Sequence, residues 1–102
     1  GCMSVKTKKP ETGVNYFCTF TNYKWLNLFD ITSFYDGIYN WFDLLKKKGI
    51  VLSGYVIMPN HLHSIIHLPE NSTSIDKIIG NAKRFMAYDI VERLKKQIEL
   101  IS

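Results

Sequence analysis

Two histidines, His61 and His63, stand one residue apart in the segment Tyr55-Val-Ile-Met-Pro-Asn-His-Leu-His63, which continues as Ser64-Ile-Ile-His-Leu68. In an extended strand, side chains alternate faces. The two rings would then point the same way, with their Cα atoms roughly 6.6 Å apart. Imidazoles at that spacing can share one metal ion. The plainer reading is a pair of surface or core imidazoles with no ligand. The opposite face carries Leu62, Ile66 and Leu68, so the strand has an apolar side to bury. His67 shares the histidine face but lies about 13 Å from His63 along an extended chain, too far to bind the same ion. A structural or partner-facing role suits it better.

The elements that must position this pair can be read from periodicity. Residues 50–58 predict a strand, Pro59-Asn60 a break, and residues 61–68 a second strand, together an antiparallel hairpin. Residues 14–21 are aromatic and β-branched and predict an earlier strand, with Tyr16, Phe17 and Phe20 assigned to the core. A connection follows from Asn22 to Phe29. Residues 31–48 predict a helix capped by Thr32 or Ser33, with Phe34, Ile38, Trp41, Phe42 and Leu45 as its buried stripe and Gly49 as its stop. Gly37 is out of place inside it. Thr73-Ser-Ile-Asp76 matches a loose capping box. The helix after it carries Ile75, Ile78, Ile79, Ala82, Phe85, Met86, Ile90, Leu94 and Ile98 at helical spacing. Residues 1–13 read as a flexible leader, with Met3 as the natural start, and residues 14–102 as one domain.

The order strand, helix, strand, strand, helix predicts an α+β sandwich: an antiparallel sheet with helices on one face. One more strand would complete a ferredoxin-like βαββαβ plan. The last strand is missing from the chain. The sheet edge left open offers a route to a homodimer.

Composition sets broad limits. The 102 residues suffice for a single core, and 46% hydrophobic with 22% charged residues is ordinary for a globular domain. A net charge of +4 favours an anionic partner, weakly. No apolar run is long enough to span a bilayer. Cys2 and Cys18 are the only cysteines and show no disulfide or metal pattern, which fits a reducing cytoplasm.

The string from Tyr55 to His63 resembles the HUH signature (His, bulky apolar residue, His) of the small single-tyrosine transposases, including the REP-associated tyrosine transposases. The likeness runs through the apolar strand, the Met-Pro-Asn turn and both histidines. It implies a ferredoxin-like plan with this strand central. It also implies DNA transposition, in which a tyrosine hydroxyl attacks a phosphodiester of single-stranded or hairpin DNA and forms a 5′-phosphotyrosine link. By that resemblance His61 and His63 hold a divalent cation, Mg²⁺ or Mn²⁺, and a third ligand comes from the segment around the nucleophile. Asn60 is read as bracing the turn.

The chain departs from the family at the nucleophile. The family's tyrosine follows the second helix, in a motif resembling Tyr-Ile-x-x-Asn-Pro, and no such motif occurs here. Tyr88 is the only tyrosine after the histidines, on a helix whose family counterpart is not catalytic. No residue is therefore assigned as catalytic. The chain reads as the amino-terminal portion of a longer transposase or a decayed copy, inactive alone. Lys77, Lys83 and Arg84, with Arg93, Lys95 and Lys96, form a basic helix side. It is either a DNA phosphate contact or a solvated face. Two competing functions remain: a non-catalytic nucleic-acid-binding module with vestigial histidines, and a structural zinc or transition-metal site without DNA.

Overall fold

The computed structural model describes residues 1–5 and 13–101. Its organising element is the strand that carries the histidines. In β4 (His61–Leu68) the even positions Leu62, Ser64, Ile66 and Leu68 are buried, and the odd positions face the other way. β2 (Val14–Thr21) runs antiparallel on one side of it and β3 (Val51–Ile57) antiparallel on the other. Ladder partners share a face, so Phe20 joins Leu62, Cys18 joins Ser64, and Tyr16 joins Ile66 on the buried side. A register shift between Leu52 and Gly54 marks a bulge in β3.

The two long helices, α2 (Tyr35–Lys47) and α3 (Ile75–Ile101), supply the rest of the core. Ile38, Trp41 and Leu45 of α2 meet Ile78, Ile79, Ala82, Met86 and Ile90 of α3 over Cys18, Phe20, Leu62 and Ile66 of the sheet. The helices thus cover the even face of β4. The protein is an α+β domain with one four-stranded antiparallel sheet.

A fourth strand, which the sequence pattern did not predict, lies near the amino terminus. Residues 2–5, expected within a flexible leader, form β1 (Cys2–Val5) and pair antiparallel with Asn15 to Cys18 of β2. Residues 6–12 of that leader lie outside the described residues. The sheet order is β1-β2-β4-β3. The edge expected to be open is therefore occupied beside residues 15–18. The same pairing corrects the cysteine reading: Cys2 and Cys18 are register partners and form a disulfide. Cysteine usage then gives no argument for a reducing compartment. Among the described residues no helix is long and apolar enough to cross a membrane.

The first predicted helix is two pieces. A short α1 (Leu28–Ile31) ends where the Thr32 hydroxyl donates back to the Leu28 carbonyl at 2.6 Å. Ser33 then takes a left-handed φ of 50°, and α2 starts at Tyr35. Thr32 therefore closes one helix instead of capping the next. The break lets Phe34 turn fully inward and stack on Phe29, ring centroids 6.0 Å apart. Gly37 is what that stacking needs, because a Cβ there would lie 2.4 Å from a Phe34 ring carbon. At α3 the cap is Ser74 and not Thr73: the Lys77 N–H donates to the Ser74 hydroxyl at 3.3 Å. Phe85 and Ile98 of the predicted stripe are exposed. A 27-residue helix is about 40 Å long and outruns an eight-residue strand of about 26 Å.

Arg93 clamps α3 to the α1–α2 break. Its guanidinium donates to both Asp36 carboxylate oxygens at 2.8 Å, to the Ser33 carbonyl at 3.0 Å and to Asp89 at 3.2 Å. It also lies 4.9 Å from the centre of the Phe34 ring. Arg93 is thus committed to the fold. Hydrogen bonds from Arg93 hold the Asp36 carboxyl below the ordinary aspartate range.

Two outcomes follow for stability. Gly37→Ala should destabilise by about 1–3 kcal/mol through overpacking against Phe34. Gly80→Ala should stabilise by about 0.5–1 kcal/mol, because a Cβ there meets only the Arg84 guanidinium at 3.8 Å. Urea melts of both variants check this pair. The lowered Asp36 pKa makes its contribution complete above the ordinary carboxylate range and lost as pH falls through the folded value. Asp36→Asn should therefore be less stable than the parent at neutral pH, and the gap should close in acid. Thermal melts across the acid range measure that gap.

Candidate metal and nucleic-acid site

The odd face of β4 carries His61, His63, Ile65 and His67. His61 and His63 have ring centroids 4.7 Å apart, edge to face. Strand alternation places them together, and the ladder fixes their neighbours: Thr21 opposite His61, Thr19 opposite His63 and Asn15 opposite His67. Each ring is held through Nδ1. His61 Nδ1 lies 2.6 Å from Asn60 Oδ1, His63 Nδ1 3.1 Å from Thr19 Oγ1, and His67 Nδ1 2.7 Å from Asn15 Oδ1.

The contact at His61 selects the tautomer of its neutral ring. The Asn60 Nδ2 donates to the Trp25 carbonyl at 3.3 Å, which orients the amide and leaves Oδ1 as an acceptor. In the neutral ring His61 Nδ1 then carries the hydrogen, and Nε2 has the lone pair. The Thr19 hydroxyl can accept from His63 Nδ1 in the same way. This is how metal-binding imidazoles are oriented, by a polar group on the nitrogen that does not ligate. His67 stands at the far end of the strand, engaged with Asn15 and packed close to Gly13.

Two aromatic rings flank the pair. Phe17 stacks on His63, centroids 5.4 Å apart with 23° between planes. Trp25 meets His61 edge-on at 6.1 Å. Phe17 was assigned to the core; it is opposite Ile65 on the histidine face instead. Counting by twos from the buried Phe20 would have shown this. Nothing in the sequence placed Trp25, whose 3₁₀ turn (Tyr23–Trp25) folds back to the β3–β4 hairpin.

The basic residues are elsewhere. Lys77, Lys83 and Arg84 are exposed on α3, in the helix layer behind the sheet. The structure does not bring them to the histidines. Arg84 is engaged with Asn81 on its own helix. Lys83 borders an apolar cleft of about 670 Å³ between α3 and residues 19–29, where it is joined by Asn22, Tyr23 and Met86. Tyr88 is 73% exposed on α3, two residues from the buried Met86 and Ile90. The sheet therefore separates its hydroxyl from the His61–His63 pair. Among the described residues no three His, Cys, Asp or Glu side chains gather at one point. The histidine pair lies on the sheet face opposite the two long helices.

No family model, no curated protein and no solved structure matches this chain.

The hydrogen-bond geometry predicts that neutral His61 is the Nδ1–H tautomer. Long-range ¹⁵N–¹H correlation spectra should show it. Asn60→Ala should shift the His61 ring toward a mixture of tautomers and leave His67 unchanged.

Proposed function

We propose that this chain is the histidine-bearing domain of an HUH single-tyrosine transposase, one that binds single-stranded or hairpin DNA beside a divalent cation. The observation that supports it most is the His61–His63 pair: two rings on one open face, held by Nδ1, inside the Tyr-Val-Ile-Met-Pro-Asn-His-Leu-His string. A ferredoxin-like plan accommodates the β2, α2, β3, β4, α3 order, with β1 taking the edge beside β2.

The donor set fits Mg²⁺ or Mn²⁺ only as a shared site. His61 and His63 would each offer Nε2, and phosphate oxygens and water would fill the remaining positions, since imidazole alone holds these hard cations poorly. When bound, such a cation neutralises developing charge on a phosphodiester and stabilises the leaving oxygen. The chain's own residues do the positioning. Asn60 and Thr19 aim the imidazoles. Phe17 and Trp25 bound the site on either side. Lys77, Lys83 and Arg84 would hold more distant phosphates, and of these Lys83 borders the same cleft as Tyr23, next to the turn carrying Trp25. The nucleophile must come from a tyrosine other than Tyr88.

A second reading is a nucleic-acid-binding module without cleavage, its histidines vestigial. Mn²⁺ titration by electron paramagnetic resonance separates the two. His61→Ala and His63→Ala should each lose Mn²⁺ binding, and His67→Ala should keep it. Unchanged binding in both of the first two variants would overturn the metal assignment. The 102-residue chain should bind single-stranded DNA, more weakly as salt rises, and form no covalent adduct with hairpin-flanked DNA and Mn²⁺. An adduct lost in Tyr88→Phe would overturn the placement of the nucleophile.

A further inference from the structure

Trp25 is a large aromatic side chain left 66% exposed beside a candidate site. Its placement is built, not incidental. Lys24 and Trp25 both take left-handed backbone angles, with φ of 51° and 59°. Consecutive non-glycine residues hold that conformation only where their surroundings enforce it. Here the enforcement is one hydrogen bond within the turn and two to the hairpin. The Asn22 N–H donates to the Asn60 carbonyl at 2.9 Å, the Trp25 N–H donates to the Asn22 carbonyl at 3.0 Å, and the Asn60 amide donates to the Trp25 carbonyl at 3.3 Å. Asn60 also contacts His61 Nδ1, so one side chain holds both the Trp25 backbone and the His61 imidazole.

From this arrangement we propose that Trp25 is a stacking platform for one unpaired nucleobase, next to the nucleotide whose phosphate lies at His61 and His63. The inference rests on the DNA-binding reading above and names a contact within it. An indole with a solvent-facing surface suits any base, because every base presents a π-face. The neighbouring groups suit a nucleic acid better than an apolar peptide: the His61 imidazole against the indole, His63 next to it, and Lys24 on the same turn. The platform reads no sequence. It sets where an unpaired strand enters the site.

The two tryptophans make the test direct. Trp41 is 4% exposed and packs edge-on against Phe20, so an added strand can quench only Trp25 strongly. The parent chain is titrated, without divalent metal, with oligothymidylate and with an abasic strand of equal length and charge. Oligothymidylate should quench the emission, and the abasic strand should bind roughly tenfold more weakly without quenching it. Trp25→Ala should lose about the same factor while keeping its salt slope, because no phosphate contact is removed. Trp25→Tyr should recover most of the affinity. Equal affinity for the two strands, no quenching, or full affinity in Trp25→Ala would each overturn the proposal, including the case in which Trp25 serves a protein partner. Mn²⁺ binding is measured separately. Quenching without Mn²⁺ binding would sink the metal reading and keep the platform, and Mn²⁺ binding without quenching would do the reverse.

Discussion

The hydrogen-bond ladders on both sides of β4 hold His61–Leu68 in the middle of the sheet, with all eight residues in register against β2. A strand fixed on both edges cannot slip by one residue without turning every side chain to the wrong face. That constraint ties the core to the candidate site. Leu62, Ile66 and Leu68 must face the helices, so His61, His63 and His67 must face away from them. Burial of the aliphatic side is worth about 1.5–3 kcal/mol per large side chain, and it fixes the direction of the imidazoles as a consequence. The site inherits its rigidity from hydrophobic packing on the other side of a sheet one strand thick.

Asn60 is the second point of control. It sits in the hairpin turn, where the Met58 N–H donates to the His61 carbonyl at 2.8 Å. Its amide has two ends and uses both. One end orients His61, and the other holds the carbonyl of Trp25 across a separate loop. The turn thereby joins the end of the β2 connection to the start of β4. Pro59 contributes to the same junction, its carbonyl accepting from the Asp30 N–H at 3.3 Å. A hairpin that would otherwise only reverse the chain is braced against α1, and the histidine face gains an aromatic border.

The helix layer is held differently. Beyond Ile90, α3 has less apolar surface facing the sheet, and polar contacts replace it. Arg93 reaches the Asp36 carboxylate and the carbonyls of the α1–α2 break, and Gln97 donates to the Ile31 carbonyl at 2.7 Å. The break between α1 and α2 leaves carbonyls without helical partners, and these two side chains satisfy them. A basic residue that looked available for phosphate is therefore committed to the fold, while Lys77 and Lys83 remain exposed.

Much of this was legible in the residues. Alternation gave the His61–Leu68 strand its limits, the Pro59-Asn60 break gave the hairpin, and the helical stripe gave α3 and most of its buried face. These features depend on neighbours in the chain, and the period of the backbone writes them into the sequence. The rest required tertiary structure. The pairing of Cys2 with Cys18 depends on the register of two strands separated by a stretch of polar residues. The break at Ser33 depends on where the Phe34 ring finds space beside Gly37 and Phe29. Trp25 is held near His61 by hydrogen bonds from its turn to Asn60, which is 35 residues away. Contacts between distant residues have no period, so the sequence alone determined which side of β4 would carry the imidazoles, and the folded chain decided what would surround them.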